Sequence, residues 1–237
     1  MDKATVRTRV WDALERTGNA RFPFPPHGRI PNFADAATGA DRLAQTTVWN
    51  DATTIKCNPD APQRPVRRRA LLEGKVVYMA VPRLREAACF LRLDPETIDD
   101  IDSATTIAGS AAAGTQCRPE AVEPIDLVVS GSVAVDTAGN RIGKGEGYSD
   151  LEFAVLRAFG LVDDATPTAT TIHELQRIDA TPERAPHDVP MDLVVSPERT
   201  EHSSHREKPE GIRWELLDET DIKEMPVLEV LAEDRSD

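Results

Sequence analysis

Apolar residues recur every three to four positions near the start of the chain. Val6, Val10, Trp11 and Leu14 share one face over residues 3 to 16, with Lys3 and Arg7 four apart on another, a spacing that predicts an amphipathic helix. Phe22 to Pro31 reads Phe-Pro-Phe-Pro-Pro-His-Gly-Arg-Ile-Pro. Proline fixes φ and removes donors, so an ordered extended loop is expected there. A second helix is expected over Ala34 to Gln45. Trp49 to Lys56 fits a strand or a helix equally, and Cys57 to Gln63 is a loop. A helix over Arg64 to Glu73 stops at Gly74, and the near-continuous apolar run Lys75 to Val81 predicts a buried strand that ends at Pro82. Residues 97 to 113 pattern poorly and read as a short helix plus loop. Ala169 to Leu175 and Met191 to Val195 read as further strands.

The sharpest pattern lies between Ile125 and Gly160. Ile125 to Asp136 is β-branched and apolar apart from Ser130-Gly131, so it reads as a core strand. Arg141-Ile142-Gly143-Lys144-Gly145-Glu146-Gly147-Tyr148-Ser149-Asp150 follows, and Phe153, Leu156 and Phe159 then mark a helix that Gly160 ends. Ser149 and Glu152 have capping-box spacing. Backbone N–H groups approach an anion closely where no Cβ intervenes, and a helix N-terminus adds partial positive charge at the same place. The turn is therefore either a tight structural connection or a phosphate cradle. Its spacing matches neither the Gly-x-x-x-x-Gly-Lys-Ser/Thr loop nor Gly-x-Gly-x-x-Gly.

Strands alternating with helices predict an α/β fold: a single domain with a mostly parallel sheet covered by helices on both sides, over residues 1–197. Residues 198–210 are charged and apolar-poor and read as a linker; residues 211–237 regain an apolar pattern and are expected to pack back on the domain.

Charge sharpens this picture. The chain has 237 residues and a formal net charge of −13, but residues 1 to 75 carry a net of +5, so the remainder carries −18. An acidic protein that binds polyanions must concentrate its cations, and the N-terminal third does so. No apolar run approaches the length of a membrane span, and Met1 to Thr5 lacks the apolar core of a secretory leader, so a cytoplasmic location without membrane association is expected. Three widely spaced cysteines, Cys57, Cys89 and Cys117, fit reduced thiols.

Candidate chemistry gathers at the glycine turn. Asp150 opens the helix, where it either complements the helix dipole or ligates Mg²⁺ bridging nucleotide phosphates. A second carboxylate would come from His187-Asp188-Val189-Pro190-Met191-Asp192, with Asp188 preferred. His202 and His205 have ligand spacing without a hydrophobic frame, which disfavours a metal. His173 reads as a hydrogen-bonded sheet residue. Arg67-Arg68-Arg69 reads as a solvated helix face with Leu71 and Leu72 turned inward, rather than a nucleic-acid patch. Gly-x-Ser-x-Gly, His-Glu-x-x-His and RNA-recognition signatures are absent.

These residues together resemble the 5-formyltetrahydrofolate cyclo-ligase family, also called 5,10-methenyltetrahydrofolate synthetases. Arg141 to Asp150 is similar to the family's Arg-Leu-Gly-x-Gly-x-Gly-Tyr-Tyr-Asp, and Lys3 with Arg7 to its N-terminal Lys-x-x-x-Arg. Gly74-Lys75 through Pro82-Arg83 and His187 to Asp192 match two further segments in order. Ser149 stands where the family usually has a second tyrosine, and Glu146 where Gly or Lys is common. Phe22 to Pro31 and Lys56 to Gln63 resemble a branch in which the cyclo-ligase domain is joined to RNA-recognition modules.

The resemblance implies a fold similar to the sugar-phosphate isomerase and CoA-transferase group, ATP as co-substrate, Mg²⁺ as metal and a reduced formyl-folate as substrate. It puts Lys3, Arg7, Arg141, Ile142, Gly143, Lys144, Gly145, Glu146, Gly147 and Tyr148 on ATP, with Arg141 and Lys144 catalytic. Asp60, Gly147 and Tyr148 fall on the folate, and Asp150 and Asp188 on the metal. Phosphoryl transfer asks mainly for positioning and charge neutralisation, which such residues can supply. The competing reading is a non-catalytic nucleotide- or RNA-binding protein that kept the fold, although nucleic acid is a poor partner for so acidic a chain.

Overall fold

The computed structural model describes residues 2–179, 182, 184–203 and 207–234. Helix α1 (Lys3–Arg16) is followed by the short pair β1 (Ala20–Arg21) and β2 (Asn32–Phe33), then α2 (Ala36–Leu43), α3 (Thr47–Asp51) and β3 (Thr54–Cys57). Next come α4 (Arg64–Leu72), β4 (Val76–Ala80), β5 (Phe90–Leu93), α5 (Ile101–Ala104), α6 (Ile107–Ala113) and β6 (Thr115–Cys117). The second half contains β7 (Leu127–Val129), β8 (Ala134–Asp136), β9 (Arg141–Ile142), α7 (Tyr148–Ala158), β10 (Thr168–Thr171) and β11 (Arg177–Ile178). It closes with β12 (Leu193–Val195), β13 (Thr200–His202), α8 (Glu219–Glu224) and α9 (Pro226–Asp234).

Eight strands form the main sheet in the order β13-β12-β10-β7-β3-β4-β5-β6. The five from β12 to β4 run parallel, β13 at one edge and β5 near the other run against them, and β6 pairs antiparallel with β5. Strands β3, β7 and β10 are buried at every position, as parallel strands covered on both faces must be. One face packs against α2 and α4 through Leu43, Val66, Ala70 and Leu71, with Trp49 beside them. The other packs against α7 and α9 through Phe153, Leu156, Val227 and Leu228. Burying each such side chain contributes about 1.5 to 3 kcal/mol. The expected single α/β domain with a mostly parallel sheet and helices on both sides is the observed fold.

The apolar run from Ile125 is two strands rather than one. After Val129 the chain leaves the main sheet and enters a three-stranded sheet of order β11-β8-β9, against which α1 lays Val6, Val10 and Leu14. The break expected at Ser130-Gly131 is thus a change of sheet. Strand β10 stops at Thr171; His173 then caps a one-turn helix, its Nδ1 accepting from Leu175 N at 3.1 Å.

Further differences have local causes. The ambiguous Trp49 to Lys56 resolves into the end of α3 and most of β3. Strands β5 and β6 lie where no strand was expected, their pairing set by β4 rather than by local pattern. The stretch read as a charged linker contributes edge strand β13 and Lys208, whose ammonium is buried on the carbonyls of Asp164 and Thr166 and on the Asp192 carboxylate. Arg67 is not on a solvated face: it is 1% exposed and donates to the carbonyls of Asn58, Asp60 and Thr105, while Leu72 is exposed. His205 lies outside the described residues. No helix among the described residues is long and apolar enough to cross a membrane.

Candidate functional site

The glycine turn is the common wall of two cavities. One, of about 750 Å³, is lined by Ile30, Asp60, Met79, Val81, Lys144 and Glu152 among others; the second, of about 500 Å³, by Lys3, Arg7, Asp150, His187 and Asp188. Arg141, Gly143, Glu146, Gly147 and Tyr148 border both. Gly147 has φ +74° and immediately precedes the first helical residue, Tyr148. Gly145 has φ +110°, and a Cβ there would stand 3.3 Å from the Arg7 guanidinium carbon. Both positions therefore need glycine, one for the helix entry and one for the approach of the cation. The expected capping box does not form, because a left-handed Gly147 starts the helix two residues earlier and carries Ser149 into its first turn.

The turn is held from below by Arg141. Its guanidinium is 3% exposed, donates to the Gly131 carbonyl at 2.8 Å and pairs with Asp150 at 2.7 Å. Burial opposes the charge on Arg141, but the carboxylates of Asp150, Asp188 and Glu152 outweigh it and hold the guanidinium's pKa above its ordinary value. Helix α1 brings in two more cations. Arg7 donates to the Gly143 carbonyl at 2.7 Å, and Lys3 pairs with Asp188 at 2.5 Å. Burial pulls the Arg7 pKa down, and Asp188 opposes that shift.

The two acids expected on a metal border the same cavity. Asp150 accepts the backbone N–H of Val189 at 2.9 Å, and Asp188 accepts that of Ala185 at 2.7 Å. Among the described residues no group of three or more His, Cys, Asp or Glu side chains is gathered closely enough to hold a metal alone. Two carboxylates beside a cation-lined cavity nevertheless fit Mg²⁺, which commonly takes one or two carboxylates and completes its shell with phosphate oxygens and water.

Lys3, Arg7, Ile142, Gly145 and Asp188 thus line the smaller cavity, with Arg141, Gly143, Glu146, Gly147, Tyr148 and Asp150 on its shared wall. Lys144 lines only the larger cavity, the one that holds Asp60, and pairs with Glu146 at 2.8 Å. The two opposite charges of the turn thereby neutralise each other. Asp60 is drawn in by Arg67, which pins the carbonyls of Asn58 and Asp60. Burial raises the Asp60 pKa, with Lys144 opposing and Glu152 adding to the rise.

Beneath the larger cavity runs a polar network that the sequence reading missed. Lys56, 1% exposed in the middle of β3, forms an ion pair with Glu152 of α7. Asn58 donates to the same carboxylate at 3.1 Å, and its Oδ1 accepts from Gly131 N at 3.1 Å and from Ser149 Oγ at 3.3 Å. A lysine inside the apolar run Thr-Ile-Lys-Cys, and a glutamate four residues before Leu156 on the buried side of α7, were the signals available. Gln63, wholly buried near Asp60 and Gly131, has neither amide atom hydrogen-bonded.

The 5-formyltetrahydrofolate cyclo-ligase family model matches residues 1–197. A methenyltetrahydrofolate synthase domain-containing protein of Mus musculus is 38% identical over 239 residues, covering 98% of this chain and 64% of its own length. Its Homo sapiens counterpart is 33% identical over 236 residues, covering 98% of this chain and 61% of its own. The chain therefore spans less than two thirds of these relatives. The solved 5,10-methenyltetrahydrofolate synthetase of Aquifex aeolicus superposes with a TM-score of 0.53 at 17% identity, over 85% of this chain and 93% of that one, a likeness of fold.

Proposed function

The chain belongs to the 5-formyltetrahydrofolate cyclo-ligase family, and from that membership we propose that it converts 5-formyltetrahydrofolate to 5,10-methenyltetrahydrofolate, consuming ATP and releasing ADP and phosphate. One observation carries the reading: a single glycine turn separates a cavity bearing cations and paired acids from a larger, partly apolar cavity bearing Asp60. A reaction that passes a phosphoryl group from one bound molecule to another needs two sites that meet at one wall.

In the proposed reaction the formyl oxygen attacks the γ-phosphorus, an O–P bond forms and ADP leaves. N10 then attacks the activated formyl carbon, the phosphate departs with its oxygen, and loss of the N10 proton leaves the methenyl bridge. Lys3, Arg7 and Arg141, all on the smaller cavity, would offset the charge on the triphosphate. Gly147 and Tyr148 lie where both substrates reach. Lys144, which lines the larger cavity, would act from the side of the accepting formyl group. Asp60, on the lining of the larger cavity, would accept from the amino and ring N–H edge of a pterin through its two carboxylate oxygens. Asp150 and Asp188 would hold Mg²⁺, which when bound supplies neutralisation of the β- and γ-phosphate oxygens. A cytoplasmic site of action belongs to the same proposal.

The test is spectroscopic. Purified protein with ATP, Mg²⁺ and 5-formyltetrahydrofolate should generate the methenyl chromophore at low and high salt, and omission of ATP should abolish it. No chromophore, together with salt-sensitive RNA binding, would favour the binding-protein reading instead.

A further inference from the structure

The family model ends at residue 197, yet the smaller cavity does not. Ile212, Arg213, Leu216, Leu217 and Met225 form part of its lining, together with Lys3, Arg7 and the glycine turn. Ile212 and Leu217 rest on the main core and Met225 is buried in it, so this wall is anchored. Leu216 is different: it ends the one-turn helix Trp214–Leu216 and is 58% exposed, a large apolar side chain left uncovered at the cavity. Its surroundings are acidic, with Asp218 and Asp221 close in sequence and Asp221 itself on the cavity lining, while Glu219 pairs with Lys223. Arg213 is paired with Glu215 and adds little free positive charge.

The cavity is therefore divided in its chemistry. Cations and the paired acids occupy one side, while apolar side chains framed by carboxylates occupy the other. A nucleoside triphosphate has the same division, since its phosphates need cations and its purine ring is a flat, weakly hydrated surface. The acidic frame repels phosphate, which fixes the direction in which such a molecule lies.

We infer that residues 211–225 form the nucleobase half of the nucleotide site, with the purine ring against Leu216 and its apolar neighbours and the phosphates toward Lys3 and Arg7. This rests on the reading that the smaller cavity takes ATP. It assigns a binding role to a part of the chain beyond the matched family region.

The test is calorimetric titration of the full chain, with Mg²⁺ present, against a non-hydrolysable ATP analogue and, separately, inorganic tripolyphosphate. Wild type should bind the analogue more tightly. Leu216→Asn should weaken the analogue by about tenfold, the scale of losing one buried leucine contact, while tripolyphosphate affinity stays within about twofold. Leu216→Ala should move the analogue in the same direction, and unchanged thermal midpoints would show that both variants fold. Equal wild-type affinity for the two probes, or unaltered analogue binding in both variants, overturns the inference while leaving the cyclo-ligase reading standing. A wild-type protein that binds neither probe overturns both.

Discussion

The Asp150 carboxylate accepts the backbone N–H of Val189 at 2.9 Å, and this bond seats Asp188, the preceding residue, on the cavity that Asp150 lines. Two acids from distant parts of the chain are thereby held together before any ligand arrives, each already paired with a cation, Asp150 with Arg141 and Asp188 with Lys3. Preorganisation of this kind spares a ligand the work of ordering its own site.

Asp150→Ala should abolish methenyl formation. It should also destabilise the protein by about 3 to 5 kcal/mol, because the buried Arg141 loses its counter-charge. Asp150→Asn, which keeps an acceptor for Val189 N–H, should recover part of the stability and little of the activity. Urea denaturation beside the absorbance assay checks both. A fully active Asp150→Ala enzyme would remove Asp150 from the mechanism.

Lys56→Met leaves the Glu152 carboxylate buried beneath the larger cavity without its ion partner, and should cost about 3 to 5 kcal/mol. The double variant Lys56→Met with Glu152→Leu should regain much of that loss, since an apolar pair replaces an ion pair at little net cost. A double-mutant cycle by chemical denaturation reads the coupling. Additive losses would mean that the two residues do not act as a pair.

Glu146→Gln should tighten ATP about two- to fivefold by removing a carboxylate from the wall that borders the smaller cavity. The apparent KM for ATP gives the answer. A rise in KM would show that Glu146 assists nucleotide binding.

Asp60 gives a pH signature. Burial raises its folded-state pKa above the unfolded value, so the folded protein keeps this proton over a pH range in which the unfolded chain has lost it. Stability therefore falls as pH climbs from the unfolded pKa, about 3.9, through the folded one, and the penalty is constant beyond. Asp60→Asn escapes it, so the variant should be more stable than wild type at pH 7 and lose that advantage on acidification to about pH 4. Its KM for the formyl-folate should rise. Urea midpoints at the two pH values test the first claim, and a stability advantage that grows on acidification would contradict it.

The run from Ile125, the glycine turn and the stripe Phe153–Leu156 were legible because each is local: β-branched burial, absent Cβ atoms and helical spacing need no distant partner. So were Lys3, Arg7, Arg141, Asp150 and Asp188, which line the smaller cavity. Tertiary structure alone decided where those pieces went. It turned the break at Ser130 into a change of sheet, set Lys144 on the larger cavity, and exchanged the capping role expected of Glu152 for an ion pair with Lys56. It also brought residues 211–225 onto the smaller cavity. A buried charge is stable only beside a counter-charge or enough hydrogen-bond partners, and which groups meet depends on strands and helices packing across the whole chain, information that no local window of sequence contains.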